Sequence, residues 1–211
     1  MRPGEHTFPI ASSKDLYEGR VMAVRADQVV MPGGREATRE IVEHPGAVAI
    51  AAVDDQDRLM LILQYRHAVR RRLWEMPAGL LDHAGEDPVE AAARELEEEA
   101  GLQAADWSVL VDAVPSPGFS EESIRVYLAS GLTQVDRPDL GDDEEADLET
   151  RWTPLAEAVA MVLRGEIVNA TTVAGVLALQ VVRDGHGTTR GTDAEWPDRP
   201  TNFAARKAQQ P

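Results

Sequence analysis

The chain of 211 residues predicts an α/β protein: a mixed sheet covered by helices on both faces, preceded by a small antiparallel β region. Three observations predict it. Residues 46–53 and most of 59–65 are short apolar runs, as strands buried on both faces are. Strand-like runs then alternate with helical segments near 88–100, 154–163 and 170–182. The first 45 residues hold strand-like runs around a Pro32-Gly33-Gly34 turn, too short for a core of their own. The organisation expected is therefore a β region over 1–45 and a main domain over 46–211.

In order, residues 1 to about 15 are polar and read as loose. Tyr17 to Met31 reads as one bent or two short strands, and Glu36 to Glu43 pairs back as its hairpin partner. Gly46 to Val53 is the first buried strand. Asp54 to Asp57 turns into the second, Leu59 to Tyr65. His67 to Pro77 leads to a glycine loop at Gly79 and then to a helix. Trp107 to Val114 and Ile124 to Ala129 are strands flanking Pro115 to Glu122. Residues 134–147 form an acidic loop. Glu149 to Trp152 is a short strand, and Pro154 to Leu163 and Ala170 to Val182 are helices, the latter capped by Asn169 and Thr171. Arg183 to Asp193 is Gly/Thr/Asp-rich linker, and Glu195 to Phe203 an extended tail that docks its aromatics.

The helix after Gly79 carries the chemistry. Asp87, Pro88 and Glu90 read as N-cap, first-turn proline and the acid of a capping box, and Gly101 as the left-handed stop. Val89, Ala92, Ala93, Leu96 and Ala100 form a narrow apolar stripe at helical spacing. Glu95 and Glu99 lie one turn apart, with Glu98 beside them, and repel each other unless a cation intervenes. Arg94 stands among them, able to orient a carboxylate. An acid-rich helix is commonly a solvated face. Here the acids flank the apolar stripe instead of opposing it, which favours metal binding. Hard oxygen ligands in a chain without cysteine suit Mg²⁺ or Mn²⁺, not zinc.

Gly79, Glu86, Arg94, Glu95, Leu96, Glu98, Glu99, Gly101 and Leu102 resemble the Nudix box, G-x5-E-x7-R-E-U-x-E-E-x-G-U with U aliphatic. The spacing departs once: Gly79 precedes Glu86 by one residue more than the pattern requires, within the loop. The resemblance to Nudix hydrolases covers about residues 46–165 and implies their α/β/α sandwich. A narrower resemblance, to bacterial ADP-ribose pyrophosphatases, rests on Gln64 to His67, Leu73 to Gly79, Ser116 to Glu121 and Arg39-Glu40.

That narrower resemblance implies two to three Mg²⁺ (or Mn²⁺) ions per site, held by the Ala78 carbonyl, Glu95, Glu99 and Glu98. It implies catalytic roles for Glu98, Arg94 and a general base in the loop Asp142 to Asp147, either Glu145 or its neighbour Glu144. Substrate contacts are implied at Arg39, Glu40, Arg66, Leu80, Ser116, Pro117, Gly118 and Glu121. It implies a homodimer with exchanged N-terminal strands, and products AMP and ribose 5-phosphate. His44 and His67 are phosphate contacts or structural residues. Tyr65 and Trp74 read as core or interface aromatics, and Phe119 as a candidate for stacking.

Composition narrows the partners. With 37 acidic against 21 basic residues the formal charge is −16, which opposes nucleic acid and anionic membrane. No apolar run approaches a spanning length and no signal-like segment opens the chain, so a cytoplasmic protein is expected. The resemblance implies a small nucleotide sugar as the substrate. Alternatives are another nucleoside-diphosphate sugar or a dinucleotide as substrate, or a non-catalytic ligand sensor. The complete acid set of the box favours the enzyme.

Overall fold

The computed structural model describes residues 6–137 and 148–208. It divides into two compact units, one from the described parts of Gly46–Pro115 and Ser123–Arg199, the other from those of Met1–Pro45, Ser116–Glu122 and Pro200–Pro211.

The larger unit is built on strand β4 (Ala47–Ala52), every residue of which is buried. Its alternation explains the layering. Ala47, Ala49 and Ala51 face one core cluster, which contains Leu155, Ala158 and Met161 of helix α2 (Leu155–Leu163) and Val176 and Leu179 of helix α3 (Ala170–Arg183). Val48, Ile50 and Ala52 face the other, which contains Ala91, Ala92, Leu96 and Ala100 of helix α1 (Pro88–Ala100). A strand with helices on both sides has no polar face, which is why the sequence there is uninterrupted apolar residues.

Strand β4 runs parallel to β9 (Ile124–Gln134) and antiparallel to β7 (Ala78–Leu80), in a mixed sheet of order β7-β4-β9-β8 completed by β8 (Leu102–Ala113). A second sheet, antiparallel throughout, has the order β10-β5-β6: β5 (Arg58–Arg66) lies between β6 (Arg71–Glu75) and β10 (Glu149–Pro154). The expected mixed sheet between helical layers is present. Strand β8 begins at Leu102, five residues before the sequence suggested, because it pairs with β9 from Leu102↔Gln134 onward.

Two local differences bear on the site. Gly79, expected in a loop, lies in strand β7 opposite Val48. Ala93 of the expected apolar stripe is exposed, and Ala91 is buried in its place.

The smaller unit is a three-stranded antiparallel sheet, β1 (Ile10–Glu18), β2 (Ala23–Val30) and β3 (Glu36–Glu43), with helix α4 (Asn202–Lys207) and loop 116–122. The hairpin β2–β3 is the one expected, turning through Gly34 at φ 79°. The expectation of a loose start is corrected: Ile10–Glu18 is a strand because it pairs with β2 from Ile10↔Val29 to Glu18↔Ala23. The tail also differs from its extended expectation. It ends in the short helix α4, whose Phe203 is buried. Trp196, in the larger unit, docks as expected, donating from Nε1 to Ser123 at 2.9 Å and lying under the Arg125 guanidinium.

Candidate active site

Helix α1 is set by its ends. The Asp87 carboxylate accepts the Val89 N–H at 2.9 Å, Pro88 occupies the first turn, and Gly101 closes the helix at φ 62° with its N–H on the carbonyls of Glu97 and Leu96. The cap bond goes to the second helical residue, one short of the reach a capping box uses. Between these ends the apolar side is pinned on the sheet by Ala92, Leu96 and Ala100. That rotation turns Glu95 and Glu99 inward, leaving them only 8% and 3% exposed.

Buried carboxylates need partners, and α1 supplies them through Arg94. Its Nη1 donates to Glu95 at 2.7 Å and to Glu98 at 2.9 Å, while Nε and Nη2 reach the two oxygens of Glu86 at 3.0 and 3.2 Å. The guanidinium holds the Glu86 carboxyl below the usual carboxylate range and is itself held more firmly protonated by Glu86 and Glu95. Glu99 turns to the sheet, accepting the Ala78 N–H at 2.8 Å. Gly79 adjoins it, and a Cβ there would collide with the Glu95 carboxylate. The glycine therefore makes room for the Glu95 side chain, and no unusual backbone conformation calls for it.

The fold thus brings the expected Ala78, Arg94, Glu95, Glu98 and Glu99 together, and adds Glu86 to them. The donor set is of hard oxygens on one buried helical flank, walled by a residue without a side chain, and it fits a divalent cation. Among the described residues no three acidic or histidine side chains converge as a cage, because Arg94 draws Glu95 and Glu98 to itself and the Ala78 N–H takes Glu99. Glu144 and Glu145 lie outside the described residues.

Arg66 and Leu80 also belong to this unit. Arg66 meets Glu75, almost fully buried, in a two-pronged contact at 3.0 and 2.7 Å, a partner that sequence reading missed. Leu80 is half-buried against the core cluster of α2 and α3. The Tyr65 hydroxyl lies 3.3 Å from His67 Nδ1, and Trp74 carries the Arg151 guanidinium on its face.

The smaller unit holds a cavity of about 390 Å³. Arg39, Glu40, Pro117, Gly118 and Glu121 line it, five of the residues expected to meet substrate. What joins them is a parallel bridge between Val42 and Ser120, with Val42 N–H donating to Phe119 and Glu121 N–H donating to Val42. Phe119, 59% exposed, lines the same cavity. Ser116 stands outside the lining at the loop base, its carbonyl accepting the Phe119 and Ser120 N–H groups. Arg25 lines the cavity too and was not singled out from sequence. Its nearest signal was alternation in β2, which puts Arg25 and the buried Asp27 on one face. His44 is pushed toward its neutral form by burial, opposed by Glu122 and Glu121.

The NUDIX domain model matches residues 43–174, and the model of the nucleoside diphosphate sugar hydrolase N-terminal domain matches residues 10–42. The chain is 58% identical over 205 residues to an ADP-ribose pyrophosphatase of Mycobacterium tuberculosis, covering 97% of this chain and 99% of that one. It is 36% identical to a methanol dehydrogenase activator of Bacillus methanolicus (80% and 90% covered). It is 34% identical to an ADP-ribose pyrophosphatase of Bacillus subtilis (81% and 91% covered). A crystal structure of an ADP compounds hydrolase shares the fold at a TM-score of 0.75, with 23% identity, 88% of this chain and 98% of that one covered.

Proposed function

Because this chain belongs to the NUDIX family of pyrophosphohydrolases, we propose that it hydrolyses the diphosphate linkage of ADP-ribose to AMP and ribose 5-phosphate. The observation that carries the substrate is the 58% identity, over nearly the full length of both chains, to an ADP-ribose pyrophosphatase. The two carboxylates Glu95 and Glu99, buried on one flank of α1, support the chemistry.

Water attacks one phosphorus, the bridging P–O bond breaks, and the bridging oxygen leaves on the other phosphate. Glu95 and Glu99 would hold the metal, with the Ala78 carbonyl and Glu98 completing the set. Two to three Mg²⁺ or Mn²⁺ ions, when bound, would supply neutralisation of the diphosphate charge and acidification of the attacking water. Arg94 keeps Glu86, Glu95 and Glu98 in place. Glu145, or else Glu144, takes the proton of the attacking water. Arg66, held by Glu75, meets a phosphate; further substrate contacts are proposed at Leu80 and, in the smaller unit, at Arg39, Glu40, Ser116, Pro117, Gly118 and Glu121. The guanidinium groups of Arg66 and Arg39 matter in a chain of formal charge −16, which otherwise repels an anionic substrate.

The protein acts as a homodimer in the cytoplasm. All nine residues of β1 are exposed, Ile10, Leu16 and Tyr17 among them, and an exposed strand edge of that length calls for a partner chain. The exchanged N-terminal strands would supply it. Incubating the protein with ADP-ribose and Mg²⁺ and separating the nucleotides tests the reading: AMP and ribose 5-phosphate should appear in equal amounts. Release from ADP-glucose or GDP-mannose in preference to ADP-ribose would transfer the proposal to another nucleoside-diphosphate sugar, a class that the matched N-terminal domain model admits alongside ADP-ribose.

A further inference from the structure

Helix α4 is fastened to the sheet of its own unit. Phe203 is buried, Arg206 pairs with Asp15 through two contacts of 2.8 Å, and Lys207 donates to the Gly19 carbonyl at 2.9 Å. From that anchored position it reaches two acids. Asn202 donates from Nδ2 to Glu121 Oε2 at 2.7 Å. Arg206 donates to both oxygens of Glu43, at 2.9 and 3.1 Å. Arg25 closes the circuit: its Nη1 donates to Glu43 Oε1 at 2.6 Å and lies 3.6 Å from Glu121 Oε2. Glu121 and Arg25 both line the cavity, so the helix fixes two of its charged walls.

One atom in this arrangement is unsatisfied. Glu121 Oε1 is buried and has no hydrogen-bond partner among the described residues. An acceptor removed from water and left without a donor is costly, and a carboxylate oxygen more so than a neutral one. With Oε2 occupied by Asn202, Oε1 is the oxygen left for a ligand donor.

We propose that Asn202 is a positioning residue of the substrate pocket, holding Glu121 so that Oε1 accepts a hydroxyl or amino group of the nucleotide sugar. Arg206 does the same for Arg25 through Glu43. This inference rests on the ADP-ribose reading above. It gives the C-terminal helix a part in substrate selection that contact with the substrate alone would not reveal.

Steady-state rates on ADP-ribose with Mg²⁺ test it in the full-length protein, with thermal melting as the control for folding. Asn202→Ala should raise KM about tenfold, leave kcat within twofold and leave the melting temperature unchanged, since Asn202 is exposed. Glu121→Gln should raise KM as well, because the new amide would meet Asn202 by its oxygen and turn its NH₂ to the ligand. Adding Asn202→Asp to that variant reverses both polarities: the amide introduced at position 121 then donates to the carboxylate introduced at position 202 and offers its oxygen to the ligand. The double variant should therefore have a lower KM than Glu121→Gln alone, a recovery that a merely structural role would not produce. A KM within twofold of wild type for Asn202→Ala, or no recovery in the double variant, overturns the inference. A wild-type protein inert toward ADP-ribose would instead overturn the reading on which it rests, so the two failures are distinct.

Discussion

Arg94 is the residue that reconciles a cluster of acids with its burial. Two nearly buried glutamates one helical turn apart would repel strongly, yet three of its contacts with Glu95, Glu98 and Glu86 lie at 3.0 Å or less. Gly79 is the other residue on which this site depends. Replacing it with alanine would push a methyl into the Glu95 carboxylate, and the flexible acid would yield before the strand does. Gly79→Ala is therefore expected to lower kcat by about 10²-fold, the scale of an ångström of misplacement at a reacting centre. Circular dichroism should stay unchanged. Wild-type turnover in that variant would show that Glu95 is free to move without consequence. Glycine at this position was legible from the box pattern, but its reason was not. The clash exists only because β7 pairs with β4 and α1 packs across it, which no local spacing encodes.

At the scale of elements, the ones legible from sequence are those whose own residues decide them. Helix α1 announces both ends by Asp87-Pro88 and Gly101, and β4 announces its burial by six apolar residues in a row. Strand β1 announces nothing. Ile10 to Glu18 has no apolar face, none of it is buried, and its strand state comes from pairing with β2. Helix α4 is likewise hidden, six residues long with Phe203 alone buried and Pro200 close before it. Helix α3 illustrates a contact of intermediate legibility. Asn169 caps it by accepting the Thr172 N–H at 2.9 Å, as expected from sequence. Thr171 plays no such part in that bond. The neighbouring Thr172 instead gives its hydroxyl oxygen to the buried Met76 N–H at 3.0 Å, just upstream of Ala78. Thr172→Val keeps the shape and removes the acceptor, so it should destabilise the protein by about 1–3 kcal/mol in urea unfolding. A loss below about 0.5 kcal/mol would mean that Met76 finds another partner.

For the whole molecule, charge and assembly set the terms. The smaller unit is tied by acids to arginines, Glu43 most of all. Arg206, then Arg25, hold its carboxyl below the usual range against the opposing cost of burial. A depressed folded pKa stabilises above the unfolded value, and the contribution is lost as pH falls through the folded one. Glu43→Gln should thus cost about 1.5–3 kcal/mol near pH 7. The gap from wild type should close progressively below about pH 4, where unfolded glutamate takes its proton. An equal deficit at all pH values would assign the loss to packing. Assembly is expected to depend on the same unit: deleting residues 1–45 should convert the dimer to a monomer or aggregate and weaken ADP-ribose binding, although the box remains complete. Light scattering that finds the full-length protein monomeric and fully active would end the dimer proposal. The cavity of this unit was foreseen as a list of residues but not as a place, since the Val42–Ser120 bridge joins segments far apart in the chain.

If the acids of α1 hold the metal for cleavage of ADP-ribose, the loss of one of their charges must abolish the reaction. Wild type and Glu99→Gln are compared for release of AMP and ribose 5-phosphate from ADP-ribose at saturating Mg²⁺. The expected result is steady release by wild type, silenced by EDTA and restored by Mg²⁺, and no measurable release by the folded Glu99→Gln protein. Release by Glu99→Gln within twofold of wild type would contradict it.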